Sequence, residues 1–533
     1  MQYIFKLIKI LCGVILLSIY AIGNSSVLAN SKNNQNTLKL SIPDSPSTLD
    51  PTYSLDAHAN EILLNLFEGL VVRDINGNMV PGVAESWTNK DNKIWTFKLR
   101  KNAKWSDGKS VTAHDFVYSF QRIADPKTAT PLAGSLIEIG YKNAEAIAKG
   151  ELPVSALGVK ALDDYTVEIA LEKSIPYFIE IAGIVPLRKD IIEKYGDRWT
   201  RPENFISNGA YKLDELILQE KVVLSKNPYY WDNKNTSIDK VVYLVISDDN
   251  IAYNRFKIGE IDIVNVNTPK NLYERAKKDY PANLDVYPRL GIFYLGVNVK
   301  KIPNKKVRQA LQLGVDREVI TNKILATGQK PAYNYVPYNI KGANFAEPEW
   351  AKWTAKQRYA KAKRLLAEAG FNKNRPFNLT LTYASGGELG PLIAVAIQSM
   401  YKKNIGVEVK LEHMEWKTFL QECIAGNLAT WFIGGAAGFN DALTFLNPYL
   451  TGHSANVSTY SNIVYDDLIR SSYTAKDLAE RRALLQKAEY MLLDEAIVIP
   501  LYYPINNLVV KPWVKGLGKN PFGMPRVNLL YLE

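Results

Sequence analysis

In a chain of 533 residues, four histidines and two cysteines are the only candidates for imidazole or thiolate chemistry. His58, His114, His413 and His453 lie far apart, and none has a second histidine at the helical spacing that would put two imidazoles on one face of a zinc-binding helix. Cys12 and Cys423 cannot form a thiol-based metal cluster by themselves. The chain contains neither a phosphate-binding glycine loop closed by Lys and Ser or Thr nor a Gly-x-Ser-x-Gly nucleophile elbow. Gly434-Gly435-Ala436-Ala437-Gly438 is glycine-rich but lacks the helix-opening pattern of a dinucleotide site. Catalytic groups need not be neighbours in sequence. Even so, nothing here calls for a cofactor, and the pattern suits a protein that binds rather than one that transforms.

The bulk properties point the same way. Hydrophobic residues make up 47% of the chain, more than one compact core holds, which predicts two or three lobes. With 31 Tyr and 10 Trp, the chain has rings to line a large cleft. The N-terminus carries Lys6 and Lys9, an apolar run from Ile10 to Gly23, and small residues ending at Val27-Leu28-Ala29. This is the pattern of a secretory signal peptide over residues 1–29, and its apolar run is short of the roughly 20 residues a membrane span needs. Its removal would leave Cys423 alone, a buried and inert thiol with no intramolecular disulfide. The net charge of +11 comes from basic residues spread along the chain, which argues against a nucleic-acid groove.

The elements that must position any site interleave. Thr37–Ile42, Trp95–Arg100 and Tyr165–Leu171 alternate apolar and polar and predict strands; Lys221–Leu224 and Ile497–Leu501 are short apolar runs of strand length, and Phe377–Tyr383 and Val407–Leu411 are further strands. Helical spacing predicts helices over Asn60–Leu70, from Thr112 as N-cap, over Val307–Leu313, and over Ala355–Ala369 with Gly370 just beyond its end. A long helix is expected over Ala475–Leu493 with Thr474 as its N-cap. The class is mixed α/β.

Several segments together resemble the oligopeptide-binding proteins of bacterial ABC importers, extracytoplasmic solute-binding family 5. They include Thr48-Leu49-Asp50-Pro51, Asn65-Leu66-Phe67-Glu68-Gly69-Leu70, Pro81 to Trp87, Trp95 to Gly108, Asp115 to Ser119 and Asn208-Gly209-Ala210-Tyr211. Val307 to Leu311, Glu415 to Leu420 and Val510-Lys511-Pro512-Trp513 follow in the same order. Trp87, Trp95 and Trp105 are expected in a core, with Asp107-Gly108 as turn chemistry. The resemblance implies an α/β fold like the type II periplasmic binding proteins, with two ligand-gripping lobes and an inserted third. Lobe I is expected over 30–67, 191–289 and 507–533, the inserted lobe II over 68–190, and lobe III over 290–506. Chain crossings are expected near Lys189–Trp199 and Asp285–Gly291.

The resemblance further implies a monomeric periplasmic carrier that catalyses nothing and needs no cofactor. It would close on a peptide or peptide-like ligand, held as an added strand, and deliver it to an inner-membrane permease and its ATPase. It places Leu55, Asp56, Ala57, Tyr294, Trp416, Gly434, Gly435, Ala436, Gly438, Asp441 and Tyr502 at the ligand. Two departures stand out. Gly438 occupies the position where family members that take free oligopeptides carry an aspartate for the ligand's α-ammonium, and Phe432 and Cys423 stand where arginines are frequent. Gly291 and Ala436 correspond to half-cystines of some members. Either Asp441 or Asp56 takes over the ammonium, or the ligand is something other than a plain linear peptide, such as a modified cell-wall peptide or a metal chelate.

Overall fold

The computed structural model describes residues 36–54, 56–267, 270–385, 389–453, 455–523 and 525–533. The expected signal peptide and the candidate ligand residue Leu55 lie outside them. Strands and helices interleave as the sequence implies, and each large sheet is built from a different stretch of chain.

The N-terminal sheet runs in the order Thr37–Ile42, Lys240–Val245, Lys221–Lys226, Tyr211–Ile217, its first pair parallel and the rest antiparallel. Every second residue of Thr37–Ile42 is buried, as its alternation requires. An inserted antiparallel sheet is formed by Ala84–Lys90, Ile94–Leu99, Thr166–Ala170 and Val159–Asp163. The helix Ala113–Ala124 accompanies it, and the Asp115 carboxylate of its first turn accepts the Thr112 N–H at 2.8 Å. The third, six-stranded sheet has Lys330–Pro331, Val498–Tyr503, Gly291–Val297, Thr430–Ala436, Asn378–Ala384 and Glu408–Met414 in that order. Val498–Tyr503 is buried at every residue, and it reads in sequence as an unbroken apolar run rather than an alternating one.

The first two sheets share one contiguous hydrophobic core, which joins Leu38, Leu40 and Val241 to Trp95, Phe97, Trp105 and Phe116. The six-stranded sheet has separate cores on its two faces, one around Leu295, Leu381 and Tyr401, the other around Ile292, Phe445 and Leu492. Between these bodies lies a three-stranded sheet of Ile263–Asn265, Ile505–Val510 and Leu284–Pro288. The chain passes from it into the six-stranded sheet at Arg289-Leu290 and returns at Pro504, and the Arg289 N–H donates to the Pro504 carbonyl at 3.1 Å. The strand Ile505–Val510 begins two residues ahead of the expected boundary at 507.

The seam between the N-terminal and inserted sheets is fastened by the motif residues themselves. Asp50 takes a bidentate bond from Arg122 at 2.9 and 2.7 Å and accepts the Trp199 indole N–H at 3.2 Å. Glu68 is wholly buried; it accepts Arg526 at 3.0 Å, Trp231 at 2.7 Å and the Tyr230 hydroxyl. Asn208 bridges to the backbone of Glu68 in both directions, and a Cβ on Gly209 would meet the Asn65 carbonyl at 2.6 Å. These residue types are fixed by fit and charge pairing at a junction.

One capping assignment is corrected. The long helix spans Leu478–Asp494 and its N-cap is Asp477, whose carboxylate accepts the Glu480 N–H at 2.8 Å. Thr474 instead ends a preceding helix, Ile463–Tyr473, itself capped by Asn462. A carboxylate three residues downstream outcompetes the threonine hydroxyl because it adds a favourable interaction with the helix dipole.

Candidate functional site

The glycine-rich strand Thr430–Ala436 has two different edges. Along one it pairs antiparallel with Gly291–Val297 over its whole length. Along the other, Asn378–Ala384 pairs only with Thr430, Trp431 and Phe432. Among the described residues, Ile433–Ala436 therefore have a ladder partner on one side alone. Unpaired N–H and C=O groups in a row are a template for another extended chain. Gly434 and Ala436 are exposed. Glycine is required at 434 because a Cβ there would come within 2.7 Å of the Phe293 ring. Gly291 and Ala436 face each other across this ladder, so the two positions matched to half-cystines are paired in space.

Beyond the strand, the loop 437–441 meets the inserted body. Phe439 stacks face to face on Tyr177 at 5.0 Å with an interplanar angle of 3°. Arg73, paired with Glu180 at 3.1 Å, extends a second nitrogen to 3.4 Å from the Gly438 carbonyl. Two further contacts join the same bodies: the Lys173 ammonium lies 4.9 Å from the Tyr473 ring centre, and His453 lies 3.5 Å from Glu138. A cavity of about 420 Å³ opens between them, lined by Lys173, Leu450, Arg470 and Tyr473. Glycine strand, loop and facing residues form a cleft with the crossings at 289–290 and 504 at its base.

The residues singled out in sequence are distributed unevenly about this cleft. Trp416 opens the helix Trp416–Ile424; half of it is exposed, and its ring stacks at 5.8 Å on the buried Phe419. Tyr294 is half-buried, its ring edge-on to Tyr335 at 5.1 Å, and burial holds its phenol above the ordinary range and so neutral. Tyr502 is 2% exposed and stacks on Phe293 at 4.8 Å, placing it beneath the cleft surface. Asp56 caps the helix Ala57–Leu66, accepting from Ala59 at 2.6 Å and from Ser47. Burial would raise the carboxyl of Asp56, but these hydrogen bonds outweigh it and hold the group below the ordinary range. Ala57 is exposed at the first turn of that helix. Asp441 is buried and bound by both terminal nitrogens of Arg481, at 2.7 and 2.9 Å, and by the Leu443 N–H at 3.0 Å. Both acids considered as ammonium partners thus already have donors. Cys423 is buried and its thiol is pushed up to about 12, chiefly by burial.

Arg73 and Tyr177 carry no signal in the sequence. No periodicity marks them, and only the meeting of distant strands and loops shows their place.

Residues 78–457 match the family described as bacterial extracellular solute-binding proteins, family 5. The chain is 43% identical over 492 residues to the periplasmic oligopeptide-binding protein OppA of Salmonella typhimurium, covering 91% of this chain and 90% of that one. The structure of the Escherichia coli murein tripeptide binding protein MppA superposes with a TM-score of 0.86 at 38% identity, covering 93% of this chain and 98% of that one. The unliganded open form of the same protein gives 0.77, with 93% and 97% covered. The lobes here thus stand in an arrangement nearer to the first of these two structures than to the open form.

Proposed function

Since the chain belongs to the bacterial extracellular solute-binding proteins of family 5, we propose that it is a periplasmic carrier that binds a peptide or peptide-like ligand between its lobes. It hands that ligand to an inner-membrane ABC permease and its ATPase. The observation that carries this reading is the free edge of Ile433–Ala436, open toward the cleft and long enough for a short extended backbone at about 3.3 Å per residue. The lobes are taken as 30–67, 191–289 and 507–533 for the first, 68–190 for the inserted one and 290–506 for the third, with closure about Arg289-Leu290 and Pro504. The protein acts as a monomer after removal of residues 1–29 and transforms nothing. No helix among the described residues is long and apolar enough to cross a membrane.

Trp416 offers the ligand an apolar face, and Tyr294 offers the exposed part of its ring, its hydroxyl being engaged with Tyr335 and Tyr449. Mass spectrometry of material released from protein purified under native conditions tests the reading. Peptides or peptide-like molecules are expected, and consistent release of a metal complex or a non-peptide acid would overturn it. Trp416→Ala should weaken binding of the released ligand severalfold and leave the melting temperature nearly unchanged, because half of the ring is already in solvent.

A further inference from the structure

Basic residues are spread along this sequence, but the fold gathers their excess on one face. The helices Lys305–Gly314, Ala355–Glu368 and Leu389–Ile405 carry ten basic residues and one acidic residue, Glu368. Taking these from the 65 basic and 54 acidic residues of the whole chain leaves 55 against 53, so nearly all of the net charge resides on these three helices. They pack together. Lys306 of the first pairs with Glu368 of the second at 3.0 Å, and Asn404 of the third donates to the Gly314 carbonyl at 3.0 Å. Their buried residues, Leu311, Leu365 and Ile397 among them, cover the core around Leu295 and Leu381. That core lies on one face of the six-stranded sheet, whereas the interlobe residues Tyr177, Phe439, Leu450 and Tyr473 pack against the core on the other. The helical layer therefore faces away from the other lobes, and opening or closing of the cleft leaves it exposed.

The acids that pair with these cations do not cancel the charge. Arg358 reaches Glu318 at 3.4 Å, and Lys402 reaches Glu408 at 3.3 Å. Lys305 pairs with Asp494 and with Glu495, the second shared with Arg308. With these four acids and Glu368 set against them, the ten cations keep an excess of five. The short stretches on either side of the second helix, 349–354 and 369–375, add exposed Lys352, Lys373 and Arg375 against Glu349 alone. On the third helix Leu392, Val395, Ser399 and Lys402 follow the helical spacing and are all exposed, so apolar side chains adjoin its basic end.

A face of one sign, turned away from the cleft, suits a surface of opposite charge. Apart from Arg364, the cations of this layer that reach solvent are lysines, compact charges on flexible stems. Such groups can follow a fluid array of headgroups, whereas a fixed pattern of carboxylates on a protein is better met by the planar fork of arginine. We propose that this helical face docks the protein on the surface of an anionic phospholipid bilayer, with Leu392 and Val395 resting at the level of the headgroups. Docking by this face keeps a carrier beside the membrane that holds its permease and leaves the cleft free. The inference is independent of which ligand the cleft takes.

Co-sedimentation of the mature protein with phosphatidylcholine vesicles, with and without about one-third phosphatidylglycerol, tests it. Binding to the anionic vesicles is expected at low salt, with a partition coefficient at least about tenfold lower once the salt is raised about tenfold, because screening shortens the reach of exposed charges. Vesicles of phosphatidylcholine alone should bind little. Combining Lys356→Glu, Lys363→Glu and Lys403→Glu should abolish binding to the anionic vesicles. The same reversal at the exposed Lys90, Lys127 and Lys160 of the inserted lobe changes the net charge equally and should leave binding largely intact. Where reversal disturbs the fold, glutamine at the three helical positions should give a smaller loss in the same direction. Ligand affinity should be the same in all of these proteins. Equal binding to both kinds of vesicle, or an equal loss in the two triple variants, overturns the proposal, the second by showing that net charge alone is responsible. No binding to anionic vesicles at low salt also overturns it and leaves an acidic protein as the occupant of this face.

Discussion

The two seams of this molecule are built from different materials. Between the N-terminal and inserted sheets the core is continuous, and buried charges are locked in place: Glu68 by Arg526, Trp231 and Tyr230, Asp50 by Arg122 and Trp199. Between that body and the six-stranded sheet there is a stacked ring pair, a cation on a ring, a long bond to a carbonyl and two short chain crossings. Breaking the first seam would strand charges in a low-dielectric interior, whereas breaking the second exposes rings and groups that water can solvate again. The first two lobes are therefore expected to move as one unit against the third, with the freedom concentrated where the ligand enters.

The largest effect should come from breaking the fastened seam. Glu68→Ala leaves Arg526 buried, its side chain 6% exposed, without its carboxylate. A loss of about 3–5 kcal/mol in urea unfolding is expected, and a loss below 1 kcal/mol would mean that the cluster does not hold the lobes together.

The six-stranded body carries a different liability, the buried Glu489, which accepts the Val336 N–H at 2.7 Å and whose carboxyl is raised to about 8 by burial. Its folded form keeps a proton that the unfolded chain releases near the ordinary carboxylate value of 4.5. The contribution of Glu489 to stability is then fully present below about pH 4.5 and is lost as pH rises toward 8, with a slope of at most about 1.4 kcal/mol per pH unit. Glu489→Gln should flatten the pH dependence of stability over that window; an unchanged profile would remove Glu489 as its source.

At the openable seam the effects should be small in stability and visible in binding. Tyr177→Ala removes a stack worth about 0.5–1.5 kcal/mol. It should weaken ligand affinity roughly twofold to tenfold with little change in melting temperature, because the contact exists only between the bodies. A large loss of stability with unaltered affinity would place Tyr177 in the core.

These contrasts show what was legible in the sequence and what was not. Thr37–Ile42 and Ile94–Leu99 announce themselves by alternation, and Gly370 marks the end of its helix at φ +86°. The helix Ile463–Tyr473 lacks a clear signal in the sequence because Ile463 and Val464 are exposed rather than on a buried stripe, although Asn462 caps it. The motif residues identify the family, and the structure gives the reason for their types: Asp50, Glu68 and Asn208 fasten lobes. Glu68 and Arg526 are 458 positions apart, and no local pattern joins them. For the same reason the free edge at Ile433–Ala436 is out of reach of the sequence, since it depends on register between distant strands.

The central claim is that the ligand lies along the free edge of the glycine-rich strand. Hydrogen exchange of the segment 433–438, with and without the ligand released from native protein, tests it most directly. Saturation should slow exchange in this segment and at the crossings 289–290 and 504–506, while the seam around Glu68 stays unchanged. Unaltered exchange in 433–438 at saturation would contradict the account.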